Sequence, residues 1–163
     1  MSWKSHYNNL QQPTTADFPF IEWLWGDLAT TEVLGGPFSF PEEVRMDWLK
    51  SKSQASNAYF IIKKDTESVG EVSFRDFEKG TAHLNIKVAA CYRGQRIAQK
   101  ALQLFLNFFQ TDCSGIVLLD EVRRKNEAGI AFLVNAGFEV IEENELTVLL
   151  KWTVQSRKEE LDA

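Results

Sequence analysis

The amino-acid sequence predicts an α/β fold, with a mixed and mostly antiparallel sheet and helices on both faces. Residues 57–88 alternate between β-type runs and short turns, as antiparallel hairpins do. The strand over 82–88 then leads into a long amphipathic helix and the apolar run 116–119, an order typical of strand–helix–strand units. The length of 163 residues suits one domain, which we place at residues 1–154, followed by a charged tail at 155–163.

The first third of the chain predicts a weak strand and two helices. Asp17 suits the N-cap of the first helix, with Pro19 in its first turn. Ser39 and Glu42 fit a capping box around Pro41 at the start of the second helix. We expect the tryptophans concentrated here to pack the helices onto the sheet, with the lining of a substrate pocket between the helices and the central strand as the alternative. The predicted elements are a strand over 3–10, a helix over 17–25 and a helix ending near Lys52.

Three antiparallel strands are predicted next, over 58–63, 69–77 and 82–88. Short polar turns separate them, which favours hairpin connections. The third strand alternates: its apolar residues point one way and its polar residues the other. The apolar set is Ala82, Leu84, Ile86 and Val88, and the polar set is His83, Asn85 and Lys87.

A basic turn connects this strand to a helix over 97–110. The first turn of a helix has unpaired N–H groups, and the helix dipole favours an anion there. Arg93 and Arg96 place positive charge beside those donors. The pattern therefore predicts a phosphate site, although an ordinary strand-to-helix connection with exposed arginines is the alternative. The residues assigned to the site are Arg93, Gly94, Gln95, Arg96, Ile97, Ala98 and Gln99.

The last part of the chain predicts three strands and one helix. The run 116–119 is wholly apolar, as expected for a strand covered on both faces. A helix begins at Asn126 and ends at Gly137 as C-cap. Strands over 138–141 and 146–154 complete the predicted order β-α-α-β-β-β-α-β-α-β-β.

Composition excludes several classes of function. A net charge of −5 disfavours nonspecific binding to nucleic acid. The sequence has no apolar run long enough to span a membrane, and its first residues lack the apolar core of a signal peptide. Cys91 and Cys113 are expected to be free thiols in a cytoplasmic protein. The cysteines and histidines have no metal-site spacing, so no metal is expected.

Two segments resemble motifs of the GNAT superfamily of N-acetyltransferases. Residues 92–98, YRGQRIA, resemble the acetyl-CoA signature [QR]-x-x-G-x-[GA], with Arg96 in place of the central glycine. Residues 126–138, NEAGIAFLVNAGF, resemble the second motif, with Leu133 where the family has a tyrosine. The pattern of Trp23, Asp27 and Gly35-Gly36-Pro37 is similar to one found in the branch of the superfamily that includes ribosomal-protein and aminoglycoside N-acetyltransferases.

The resemblance implies a GNAT-like fold and acetyl transfer from acetyl-CoA, as cosubstrate, to a primary amine. The acceptor would be a small molecule or a peptide N-terminus, and the oligomeric state stays open, a homodimer included. The family's pantetheine contacts correspond here to backbone groups of Ile86 and Val88, and Asn126 would bind the cofactor or cap its helix. A non-catalytic acyl-CoA-binding or sensing module is the alternative, suggested by Arg96 and Leu133.

Two residues are candidates for the chemistry. His83 stands near the position of the family's usual glutamate, and an ordinary histidine pKa suits a general base. Glu71 on the preceding strand would hold the substrate ammonium or relay its proton. The alternatives are a half-buried histidine that only packs and an exposed strand glutamate.

Overall fold

A computed structural model describes residues 9–155 of the chain. Its seven strands form one sheet in the order β1-β2-β3-β4-β5-β7-β6. Every neighbouring pair is antiparallel except β4 and β5, which run parallel. The predicted α/β class with a mixed sheet is therefore confirmed. The strands are β1 Leu10–Gln11, β2 Ala58–Lys64, β3 Glu67–Glu78, β4 Thr81–Val88, β5 Val117–Arg123, β6 Glu139–Glu143 and β7 Thr147–Thr153.

Four of the helices follow the predicted order, and a short one was not predicted. The helices are α1 Phe18–Gly26, α2 Leu28–Thr31, α3 Glu42–Ser51, α4 Ile97–Thr111 and α5 Glu127–Asn135. The additional helix is α2, which begins immediately after the predicted break at Gly26-Asp27. Most of the predicted strand over 3–10 and nearly all of the tail at 155–163 lie outside the described residues.

Of the two capping arrangements predicted in the first third, the position of the N-cap of α1 is confirmed and the capping box of α3 is wrong. Thr14 caps a turn of 3-10 helix that precedes α1, and the Asp17 carboxylate accepts a hydrogen bond from the Thr14 backbone N–H at 2.8 Å. Asp17 is thus the second member of that capping box. It also occupies the N-cap of α1, with Pro19 in the first turn as predicted, although its side chain makes no cap hydrogen bond there. At α3, Pro41 occupies the N-cap and no side chain caps the helix.

Helices cover both faces of the sheet, as the alternation of β2 makes clear. Phe60 and Ile62 belong to the larger core cluster, which includes the apolar face of α4. Tyr59 and Ile61 point the other way and pack with residues of α1 and the segment before α3. The buried residues of α4 all belong to its apolar face: Ala101, Leu102, Phe105, Phe108 and Phe109.

The parallel pair β4–β5 separates partway along its length. Residues 81–83 of β4 pair with residues 117–119 of β5, and no further pairing between them occurs among the described residues. Both strands continue past this point, to Val88 and Arg123 respectively. The sheet is therefore open between the carboxyl halves of two central strands. No helix within residues 9–155 has the length and apolar character to cross a membrane.

Candidate active site

A cavity of about 280 Å³ occupies the opening between β4 and β5. Its walls come from the unpaired halves of both strands, from the starts of α4 and α5, and from the segment that follows α2. The lining residues are Val33, Leu34, Phe38, Asn85, Ile86, Lys87, Val88, Ala98, Asp120, Glu121, Val122, Arg123, Asn126, Gly129, Phe132 and Leu133. A cavity between two separating strands, closed where the strands are still paired, suits an extended ligand that lies along an uncovered strand edge.

The N-terminus of α4 meets one side of this cavity and has the features of an anion site. No side chain caps the helix, so its first N–H groups stay available. Gly94 in the preceding turn has φ +80°, and a Cβ added there would meet nothing within 4 Å. Arg93 and Arg96 flank this open surface. The residues present therefore fit a diphosphate group at the helix N-terminus.

Arg96 adopts a left-handed backbone conformation, which the glycine of the GNAT motif would adopt without strain. Its φ of 61° and ψ of 19° lie in the left-handed region, directly before the first residue of α4. A non-glycine residue there costs about 1 kcal/mol or more. The exchange of glycine for arginine therefore has an energetic cost, and a positive charge beside the helix N-terminus is the compensating gain.

The other residues predicted for the cofactor are distributed around this end of the cavity. Ala98 lines it, whereas Gln99 lines a different surface hollow beside α5. The Gln95 side chain accepts a hydrogen bond from Lys64 Nζ at 2.5 Å. Arg93 Nη2 donates to the backbone carbonyl of Thr30 at 3.4 Å, which ties the turn to α2.

The strand and helix residues predicted to contact the cofactor face the cavity directly. Ile86 and Val88 line it from the half of β4 that β5 leaves uncovered. Asn126 also lines it, and its Oδ1 accepts a hydrogen bond from the Gly129 N–H at 3.0 Å, so it serves as the N-cap of α5 as well. Leu133 lines the cavity with only 2% of its surface exposed, and it offers no proton to a leaving group.

Glu71 lies beneath the cavity rather than in it. The residue is 2% exposed, and its carboxylate accepts hydrogen bonds from four side chains. Oε1 accepts from Trp25 Nε1 at 2.6 Å and from the Tyr59 hydroxyl at 2.9 Å. Oε2 accepts from Asn85 Nδ2 at 2.7 Å and from Lys87 Nζ at 3.3 Å. The alternative of an exposed strand glutamate is therefore wrong.

This network connects the helices of one face to the cavity wall. Asn85 and Lys87, which line the cavity, are held by Glu71 on the adjacent strand, and Trp25 is held from α1. Burial, with the Glu71 carboxylate next in importance, raises the pKa of the Tyr59 hydroxyl well above its usual value. Tyr59 therefore stays protonated and remains a hydrogen-bond donor.

Asp120 is a candidate that the sequence analysis missed. It follows Leu119, the last β5 residue paired with β4, so it stands where the two strands begin to separate. Burial raises the pKa of its carboxyl from 3.8 to about 7, and the charges of Arg75 and Lys87 oppose that shift. A carboxyl with this pKa exchanges protons readily near neutral pH. The signal available in the sequence was an acidic residue directly after an apolar strand run.

His83 does not line the cavity. It belongs to the paired part of β4, opposite Leu119 on one side and Arg75 on the other. Its side chain is half-buried. The assignment of His83 as general base remains a prediction. Comparing a His83→Ala variant with an Asp120→Asn variant tests it.

The aromatic residues of the first third form packing contacts. Trp25, Phe40, Trp48 and Tyr59 lie edge to face, with ring centroids 4.8–5.9 Å apart. Phe38 differs from them because it lines the cavity, where Lys87 Nζ lies 5.7 Å from its ring centroid. These aromatics therefore support the α1–α3 face of the sheet, and Phe38 alone of this set reaches the cavity.

Comparison with known proteins places this geometry in context. The model of the acetyltransferase (GNAT) domain family matches residues 9–139. No curated protein sequence gives a significant match to the chain.

Solved structures share the fold at low sequence identity. Ribosomal-protein-alanine N-acetyltransferase from Brucella melitensis has a TM-score of 0.76 at 20% identity, over 89% of this chain and 99% of that one. Spermidine N-acetyltransferase from Vibrio cholerae, solved with CoA and spermine, has a TM-score of 0.78 at 14% identity, over 88% and 94%. The N-acetyltransferase PseH from Campylobacter jejuni, solved with acetyl coenzyme A, has a TM-score of 0.70 at 12% identity, over 90% and 98%.

Proposed function

The chain belongs to the GNAT family of acetyltransferases, and from that premise we propose that it transfers the acetyl group of acetyl-CoA to a primary amine. The acceptor is a small molecule or a peptide N-terminus. The observation that carries the proposal is the cavity between β4 and β5, which joins an uncapped helix N-terminus to a carboxyl poised near neutrality.

Different residues around the cavity bind different parts of the cosubstrate. The N–H groups at the start of α4, with Arg93 and Arg96, hold the diphosphate of the cosubstrate. Uncovered backbone groups of β4 near Ile86 and Val88 pair with the amide groups of its pantetheine arm, in the manner of an added strand. Asn126 donates its side-chain amide to the same ligand while it caps α5.

Asp120 is proposed to take the proton from the acceptor's ammonium group. An amine attacks a carbonyl only as the free base, and burial gives Asp120 the proton affinity that this transfer requires. When bound, acetyl-CoA supplies the thioester carbon to which the new C–N bond forms, and its C–S bond breaks to give the CoA thiol. The nitrogen gives up two protons in the reaction. One passes to Asp120, and the departing sulfur gains the other.

Glu71 is proposed to act as a positioning residue. Its carboxylate fixes Asn85 and Lys87 in the cavity wall, and its exposure of 2% keeps it from contact with an acceptor. The Lys87 ammonium stays paired with this carboxylate at 3.3 Å, which holds the Lys87 side chain in the cavity wall.

The proposal is tested by measuring CoA thiol release from acetyl-CoA against a panel of primary amines, with the product identified by mass. We expect release that depends on the amine and equals the amount of N-acetylated product. Stabilisation of the fold by acetyl-CoA without amine-dependent release would instead support the non-catalytic acyl-CoA-binding module, which the presence of Leu133 in place of a proton donor favours.

A further inference from the structure

Helix α2 carries a buried threonine that bonds to groups far from it in the sequence. Thr30 is 2% exposed, and it is one of four buried polar residues in the part of the chain that the structure describes. Buried polar groups in folded proteins keep hydrogen-bond partners. Two partners of Thr30 lie on the turn that connects β4 to α4, at Ala90 and Arg93, which are 60 and 63 residues further along the chain.

The Thr30 hydroxyl holds the start of this turn. Its Oγ1 accepts a hydrogen bond from the Ala90 N–H at 2.9 Å and donates to the Asp27 carboxylate. A hydroxyl has one proton to donate and two lone pairs that accept. Because the proton points to Asp27, a lone pair is directed to Ala90. Residues Ala90–Tyr92 form a turn of 3-10 helix, so the bond anchors the first residue of that turn.

The Thr30 backbone carbonyl orients the Arg93 guanidinium. Arg93 Nη2 donates to this carbonyl at 3.4 Å. A guanidinium has five N–H donors, so one contact of this kind leaves donors for a phosphate. An arginine loses rotamer freedom when it binds a ligand, and a side chain that is already held loses less. The contact therefore prepares Arg93 for an anion.

Thr31 is the neighbour that makes no such link. It is also fully buried, but its Oγ1 donates to the Asp27 backbone carbonyl at 3.0 Å. That acceptor lies at the start of the same helix. Two adjacent buried threonines therefore differ in one respect, because only the Thr30 hydroxyl bonds to the turn before α4.

We propose that Thr30 is a positioning residue for the cosubstrate, which holds residues 90–93 and the Arg93 guanidinium in the arrangement that receives the diphosphate. This inference rests on the diphosphate site of the proposed function. An exposure of 2% leaves Thr30 no surface for a ligand, and it does not line the cavity between β4 and β5. It therefore acts through Ala90 and Arg93.

Two thioesters that differ in the diphosphate test the proposal. Acetyl-CoA has this group, whereas S-acetylpantetheine has the same acetyl group and pantetheine arm without any phosphate. Thr30→Val keeps the shape of the side chain and removes the hydroxyl. We expect the variant to raise the Kd of acetyl-CoA by about tenfold and to leave the Kd of S-acetylpantetheine within about twofold of the wild type, as measured by calorimetry.

Three further variants locate the effect. Thr30→Ser keeps the hydroxyl and should bind acetyl-CoA within about twofold of the wild type. Thr31→Val is the matched control, since it removes a buried hydroxyl from the same helix, and it should leave both Kd values unchanged. Asp27→Ala removes the acceptor of the Thr30 hydroxyl and should raise the Kd of acetyl-CoA alone, by about threefold. It decides the question if Thr30→Val does not fold.

Three results would overturn the proposal. The first is an unchanged Kd of acetyl-CoA in Thr30→Val, or in Asp27→Ala if that variant has to replace it. The second is an equal loss for both thioesters, which would show a general effect on the cavity. The third is a loss in Thr30→Ser as large as in Thr30→Val, which would exclude the hydroxyl as the cause.

Failure of the proposed function has a different signature, seen in the wild type. If the wild type binds acetyl-CoA no more tightly than S-acetylpantetheine, the diphosphate site is rejected, and this inference with it. If the wild type binds acetyl-CoA more tightly but releases no thiol with any amine, acetyl transfer is rejected. The four variants would then still establish the role of Thr30 in binding.

Discussion

Replacing Glu71 by alanine should cost the protein a large part of its stability. The substitution leaves the Lys87 ammonium, 10% exposed, without its counter-charge, and it removes the acceptor of Trp25, Tyr59 and Asn85. Removing one partner of a buried ion pair costs about 3–5 kcal/mol, which is a large fraction of the stability of a domain this size. Urea unfolding at pH 7 measures the loss.

Matched variants separate the network from a general effect of charge removal. Glu22 pairs with Arg45 at 2.8 Å, but its side chain is 61% exposed, so Glu22→Ala should cost no more than about 1 kcal/mol. Glu71→Gln keeps one acceptor oxygen and should fall between the two. Loss of the Glu71 carboxylate should also lower the pKa of Tyr59, which is measured by ultraviolet titration.

The same variants decide what Glu71 does in turnover. A positioning role predicts that Glu71→Gln lowers kcat while the shape of the pH–rate profile stays that of the wild type. If Glu71→Ala costs as little as Glu22→Ala, the buried network does not hold the cavity wall and the reasoning fails. A profile that loses its pH dependence in Glu71→Gln would return Glu71 to the role of acid or base.

Three other substitutions probe the carboxyl at the strand opening and the phosphate end. Asp120→Asn should be more stable than the wild type at neutral pH. Because the fold raises the Asp120 pKa from 3.8 to about 7, ionisation of this carboxyl destabilises the wild type progressively over that range. Urea unfolding should therefore show that the free energy of unfolding of the variant exceeds that of the wild type by an amount that grows from pH 4 to pH 7 and then levels off. Arg93→Glu should abolish most of the thermal stabilisation by acetyl-CoA because it sets a carboxylate against the phosphates, whereas Lys50→Glu on the exposed surface of α3 should not; equal shifts in both would reject the phosphate site. Arg96→Gly should raise the melting temperature of the free protein, because glycine adopts the positive φ at this position without strain. It should also reduce the further rise in melting temperature that acetyl-CoA produces. If that rise is unchanged, the arginine charge contributes nothing to acetyl-CoA binding.

The sequence predicted the parts of the fold that have a strong period. Strand β4 follows its alternation, and α4 buries the face that its apolar residues define. The short helix α2 was missed because Gly26 and Asp27 are typical of a break, and only tertiary contacts reveal that Thr30 is buried and bonded to the Ala90 N–H. Local propensity cannot report such long-range partners.

The sequence identified several residues that line the cavity near the two motifs, but it did not identify the charged residues of β5 that line it as well. Motif residues near Arg93 and Asn126 have a fixed spacing along the chain, which a sequence displays directly. Asp120 was missed because β5 was expected to end with its apolar run at Leu119, whereas the strand continues to Arg123. Its charged residues line an opening between strands, and that opening exists only because the pairing of β4 with β5 stops.

The dependence of kcat/KM on pH, for one accepted amine, tests the central claim most directly when the wild type, Asp120→Asn and His83→Ala are compared. General-base catalysis by Asp120 predicts a wild-type rate that rises towards pH 7. It also predicts that kcat/KM falls by about 10²–10⁴-fold in Asp120→Asn while acetyl-CoA binding is retained. In His83→Ala the pH–rate profile should be nearly unchanged. Wild-type turnover and an unshifted profile in Asp120→Asn, with the loss found in His83→Ala, would contradict the account and make the histidine the base.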